Sequence, residues 1–134
     1  TQNENIRVAL DLTEEWEKSS ADGDTKATLI TGVVIARNDF IEAHPDAVET
    51  FLQQYEASVN YVNDNVAEAA VLVGNYDIVA AQVAEKAIPE CNIAFIAGND
   101  MKAKLSSYLG ILFEQNPAAV GGALPNDDFY YNAD

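Results

Sequence analysis

The sequence predicts an α/β fold rich in helix, with two short strands followed by about four helices. Two observations carry that expectation. Apolar residues alternate, or run β-branched, in two tracts near the start, and from Asn38 onward they recur at helical spacing.

In the first tract, residues 6–12, Ile6, Val8 and Leu10 alternate, as in a strand with one buried face. In the second, residues 29–36, the run Val33-Val34-Ile35 is β-branched and suits a pleated surface. Between them residues 19–24 read Ser-Ser-Ala-Asp-Gly-Asp, whose glycine and short polar side chains favour a turn.

The strongest helical signal opens at Pro45, which fits a first helical position because its missing N–H would find no partner there. Asp46 and Glu49 complement the positive end of the helix dipole. Val48, Phe51, Leu52, Tyr55, Val59 and Val62 then share one face of a helix running to about Asn63. Asn65 with Glu68 predicts a capping box, and Gly74 predicts the end of the helix that it starts. Asp77 is expected to cap a further helix carrying Ile78, Val79, Val83, Ala84 and Ala87, stopped before Pro89. Residues 92–97 read as a short extended apolar piece. Asn99 is then expected to cap a helix burying Met101, Leu105, Tyr108, Leu109 and Leu112, with Pro117 just past its end. The remainder, residues 118–134, reads as a loop with an aromatic anchor at Phe129-Tyr130-Tyr131. Two strands followed by helices do not make a self-sufficient parallel sheet, and no internal repeat is visible.

With 49% hydrophobic and 22% charged residues in 134, the chain has the apolar content of one folded domain. Its 22 acidic and 7 basic side chains give a net charge of −15, which disfavours nucleic acid and anionic lipid as partners. Cys91 has no second cysteine, so no internal disulfide forms, and a small buried role is expected of it. No apolar run approaches the roughly 18 residues that span a bilayer, and any signal peptide would lie upstream.

Residues 29–48, Leu-Ile-Thr-Gly-Val-Val-Ile-Ala-Arg-Asn-Asp-Phe-Ile-Glu-Ala-His-Pro-Asp-Ala-Val, resemble a segment of the nitrate, sulfonate and taurine group of ABC-importer solute-binding proteins. In that group a strand leads through a phenylalanine and a proline into a long helix. Residues 89–96 and 120–131, including Val120-Gly121-Gly122-Ala123-Leu124-Pro125, resemble the carboxyl-terminal end of the same group. The resemblance implies the type II periplasmic-binding fold, in which two α/β lobes close on a small solute and dock on a membrane permease. It assigns residues 1–37 to strands of the second lobe and the hinge crossing. Residues 38–134 become a helical part that packs back on the first lobe.

The function implied is capture of a small organic or oxyanionic solute, sulfonate, nitrate or pyrimidine-like, with delivery to an ABC permease. No bond is broken and no cofactor is needed. The location implied is extracytoplasmic, periplasmic or as a cell-surface lipoprotein. Helices separated from their sheet expose apolar faces, so a homodimer or swapped assembly is a further expectation. Two alternatives stand beside this reading: a thiamine-pyrimidine synthase on the same scaffold, and a structural helical interaction domain.

The ligand-binding candidates are Thr31 and Gly32, which the resemblance sets at the crossing between lobes, with Trp16 and, from the aromatic trio Phe129-Tyr130-Tyr131, Tyr130. Glycine lets a solute approach the backbone, and aromatic rings supply flat apolar area with a polar edge. No residue is expected to be catalytic. His44, the single histidine, reads as a helix-start residue before Pro45. The acidic pairs Asp127-Asp128, Glu14-Glu15 and Asp22 with Asp24 lack the glycine and distal glutamate of a calcium loop, so they read as solvated surface and no metal site is expected. Gly121-Gly122 do not lie between a strand and a helix, which argues against a phosphate cradle.

Overall fold

A computed structural model describes residues 5–19 and 28–132. Among these residues the architecture is helical and no strand forms, which corrects the expected α/β class with its two strands. The reason is physical. A β-branched tract becomes a strand only when a neighbouring segment completes its hydrogen-bond ladder. Residues 6–11 and 28–37 run without such pairing, and side chains such as Val8, 78% exposed, face solvent. The extended piece at residues 92–97 is likewise unpaired as a strand.

The first tract is cut short by Asp11. Its carboxylate accepts from the Thr13 N–H at 2.9 Å and the Glu14 N–H at 3.2 Å, an N-cap that starts helix α1, Leu12–Ser19. Glu14 and Glu15 lie in the first turn and Lys18 in the last, as the helix dipole favours. Leu12, expected in a strand, is therefore helical. Replacing Asp11 by alanine is expected to destabilise α1 by about 1 kcal/mol. Faster amide exchange confined to α1 is the readout. Beyond Ser19, the turn expected at residues 19–24 lies outside the described residues.

Helix α2, Asn38–Ala43, begins after Arg37, whose Nε donates to Asp39 Oδ1 at 2.9 Å while a terminal guanidinium nitrogen engages the other oxygen. This guanidinium holds the Asp39 carboxyl below its usual range. Its contribution is complete at neutral pH and is lost as pH falls through that lowered value. A carboxyl NMR titration is expected to show Asp39 titrating below an ordinary aspartate in the native chain and normally in Arg37→Gln. The melting temperature should barely change, because both side chains are exposed.

Helix α3, Pro45–Asp64, matches the expected span within a residue and has its proline in the first turn. Along its apolar face Val59 is buried and Val48, Leu52 and Val62 are half-buried, whereas Phe51 and Tyr55 stay exposed and stack on each other at 5.7 Å. Helix α4, Val66–Asn75, starts without the expected capping box. The Asn65 amide instead donates backward to the Tyr61 carbonyl at 3.0 Å. Asp77 does not cap the following helix. It closes the preceding one, with φ +54, its own N–H bonded to the Gly74 carbonyl and the Ile78 N–H bonded to the Val73 carbonyl, the Schellman pattern. Helix α5 accordingly begins late, Ala81–Ala87, and runs into a 3₁₀ turn, Ile88–Glu90, that contains Pro89. Helix α6, Gly98–Gln115, follows, then 3₁₀ turns at Pro117–Val120 and Asp127–Phe129. Asn99 lies inside the first turn of α6 and does not cap it; the N-cap is Ala97.

Packing divides the chain into two units. One comprises the described residues of Thr1–Val34 with those of Ile96–Asp134, and the other is Ile35–Phe95. The core of the Ile35–Phe95 unit is made of small side chains. Ala69, Ala70, Ala84 and Ile88 are buried together, with Val62, Val66, Val73 and Ile93 packed around them. Alanine lets α4 and α5 come close, and a Cβ built on Gly74 would lie 3.1 Å from the Ala81 Cβ, so glycine is needed where the hairpin closes. Asn63 ties the extended piece to α3 by donating to the Ile93 carbonyl at 2.9 Å, and the Phe95 ring meets the Tyr55 ring edge-on at 5.7 Å. Cys91, expected to be buried, is exposed.

Candidate functional site

The unit containing α6 holds a cleft of about 300 Å³. Its floor is helical. Tyr108 and Leu109 lie three and four residues after Leu105, so both neighbour it on one face of α6. One wall is the unpaired segment Ile30, Thr31, Gly32 and Val33. This segment is bonded into no sheet, and Thr31, Gly32 and Val33 in it are exposed. Phe129, carried on the last 3₁₀ turn, completes the lining.

Each of the four sequence candidates lies at or next to this cleft. Thr31 and Gly32 line it. A Cβ built on Gly32 meets no atom within 4 Å, so the space above that backbone is open. Trp16 stands one layer back, its ring centroid 5.3 Å from that of the lining Tyr108 and tilted by 41°. Tyr130 also stands one layer back. It is buried, 9% exposed, and its ring sits perpendicular to Phe129 at 5.2 Å.

Of the aromatic trio Phe129-Tyr130-Tyr131, Phe129 lines the cleft and Tyr130 stands behind it, and the helical floor was not among the candidates. The floor had a signal, since Leu105, Tyr108 and Leu109 were recognised as an apolar face but assigned to a buried core. All three are half-buried. Within the trio the 3₁₀ turn Asp127–Phe129 sets the rings of Phe129 and Tyr130 perpendicular to each other. Lys102 Nζ lies 3.0 Å from Asp127 Oδ1, and the Asn132 amide donates to Asn99 Oδ1 at 3.3 Å.

The lining is almost wholly apolar, and Thr31 and Tyr108 are its two hydroxyl-bearing residues. Among the described residues no carboxylate, amine, guanidinium, imidazole or thiol lines it. Such a surface holds a molecule by covering apolar area and orienting it with a few hydrogen bonds. It supplies no pairing of nucleophile with base. A volume near 300 Å³ lies at the small end of ligand pockets, which run from about 300 to 1,000 Å³.

The remaining polar candidates have other partners. His44 lies between α2 and α3, where its carbonyl accepts from the Ala47 and Val48 N–H groups and its ring lies 5.0 Å from Phe40. Glu14 and Glu15 are engaged by Lys18. Asp22 and Asp24 lie outside the described residues. Among the described residues no three His, Cys, Asp or Glu side chains are grouped to hold a metal ion, and no helix is long and apolar enough to cross a membrane. No family model, characterised protein or solved structure matches the chain.

Proposed function

We propose that the chain is part of the extracytoplasmic solute-binding component of an ABC importer and holds a small organic solute in the cleft over α6. The observation that carries this reading is the cleft itself, in which a glycine-containing segment faces an apolar helix across open space. The resemblance of residues 29–48 and 89–131 to the solute-binding group supports it from the sequence side. The lining favours a solute with an uncharged apolar or ring portion. Nitrate or a sulfonate would meet no cationic side chain there, in a chain of net charge −15. The solute leaves unchanged and passes to a membrane permease.

A thermal-shift and calorimetric screen of pyrimidines, sulfonates and nitrate tests the proposal. Saturable binding of one solute class without turnover is the expected result. Catalytic conversion of a pyrimidine precursor would overturn it in favour of a biosynthetic enzyme.

A second reading, a helical interaction module that pairs with another copy or another chain, is favoured by the α4–α5 hairpin. Tyr76 and Ile78 at its tip are 78% and 72% exposed, and Val71 and Leu72 beside them are also open. Apolar area of this kind marks a contact surface when it is contiguous. Light scattering separates the two readings: a monomer that binds solute supports the first, and a dimer that binds none supports the second.

A further inference from the structure

We infer that Phe129 sets the size of solute the cleft accepts, and that the Lys102–Asp127 ion pair is what positions it. This rests on the reading of the cleft as a solute site. The parts of the lining differ in how they are held. Leu105, Tyr108 and Leu109 are fixed by the hydrogen bonds of an 18-residue helix. Phe129 hangs on a tail that leaves that helix at Gln115 and turns through Gly121 and Gly122, both at positive φ.

Among the described residues, the end of the tail returns to the unit through buried Tyr130, the Asn132–Asn99 hydrogen bond and the Lys102–Asp127 pair. Tyr130 anchors the chain immediately after Phe129, and the ion pair holds it two residues before. Between these holds the Phe129 ring remains 57% exposed. It is a wall with a fixed base and a free face. The Asp127 side chain is 90% exposed, so the pair is weak and salt-screened. Loosening it should let the ring withdraw and admit a larger solute, with Tyr130 still seated.

Phenol and naphthol, a small and a larger uncharged ring, serve as probes. Binding is followed by methyl-resolved NMR at Thr31, Leu105 and Leu109 in the 134-residue chain. In Phe129→Ala the ratio of naphthol to phenol affinity is expected to rise about tenfold, the discrimination typical of a small change in an apolar pocket. Phe129→Trp should lower it. Lys102→Met, which keeps the stem and removes the charge, should move the ratio in the same direction as Phe129→Ala by a smaller factor, and Lys102→Arg should restore it. High salt should shift the native ratio toward that of Lys102→Met and leave that variant unmoved.

If both probes bind and Phe129→Ala weakens them equally, Phe129 does not set size and the inference is overturned. If Lys102→Met leaves the ratio at its native value, the positioning role falls. Absence of any cleft perturbation in the native chain is a different failure, that of the solute-site reading itself.

Discussion

Gly32→Trp is expected to weaken solute binding on the order of 100-fold while leaving the melting transition where it is. An added Cβ meets no atom within 4 Å, and the Gly32 backbone lies outside the left-handed region, so a side chain can start there without backbone strain. The indole then occupies the space that the solute would use. Calorimetry for affinity and circular dichroism for stability separate the two effects. Gly32→Ala, which adds a single methyl at the rim, should fall between native and Gly32→Trp. Loss of stability in Gly32→Trp would show that the cleft is not open space. Unchanged affinity would place the solute elsewhere.

The second large effect is on folding. Ala70→Asp is expected to unfold the Ile35–Phe95 unit, because Ala70 is 2% exposed among Ala69, Ala84 and Ile88 and none of these offers a partner to a carboxylate. An unpaired buried charge costs about 3–5 kcal/mol, a large part of the total stability of a small domain. Desolvation raises the folded-state pKa of the introduced carboxyl above its unfolded value, so the charge penalty is complete at neutral pH. It shrinks as pH falls from the raised folded value toward the unfolded value of about 4, and below that value it is gone. Thermal melts across that range should show the gap between variant and native chain narrowing in acid. Ala70→Ser, which adds a polar group without charge, should cost less and show no such pH dependence.

What could be read from the sequence follows from how local each signal is. Helix α3 was legible almost to the residue because its proline start and three-four apolar spacing are properties of the segment itself. Residues 6–12 and 29–36 misled because strand propensity reports fitness for a sheet and cannot say whether a neighbouring strand exists. Within the first tract Asp11, followed by Thr13, Glu14 and Glu15, carried a helix-start signal that the alternation of Ile6, Val8 and Leu10 masked. Asn65 is the N-cap residue of α4 as expected but forms no capping box, whereas Asp77, expected to start the next helix, ends the preceding one. Asn65 bonds back to Tyr61 and Asp77 closes α4. The same limit applies at the site. Thr31 and Gly32 could be nominated from the resemblance. The helical floor opposite them comes from residues more than seventy positions later, which no local pattern links to that segment.

The central claim is that residues 30–33 and α6 together hold a solute. Methyl-resolved NMR of the native chain, titrated with the strongest compound from the solute screen, tests it most directly. Saturable shifts at Thr31, Leu105 and Leu109, absent in Gly32→Trp, are the predicted result. Shifts concentrated on the α4–α5 hairpin at Val71, Leu72 and Ile78, and unaltered in Gly32→Trp, would contradict it.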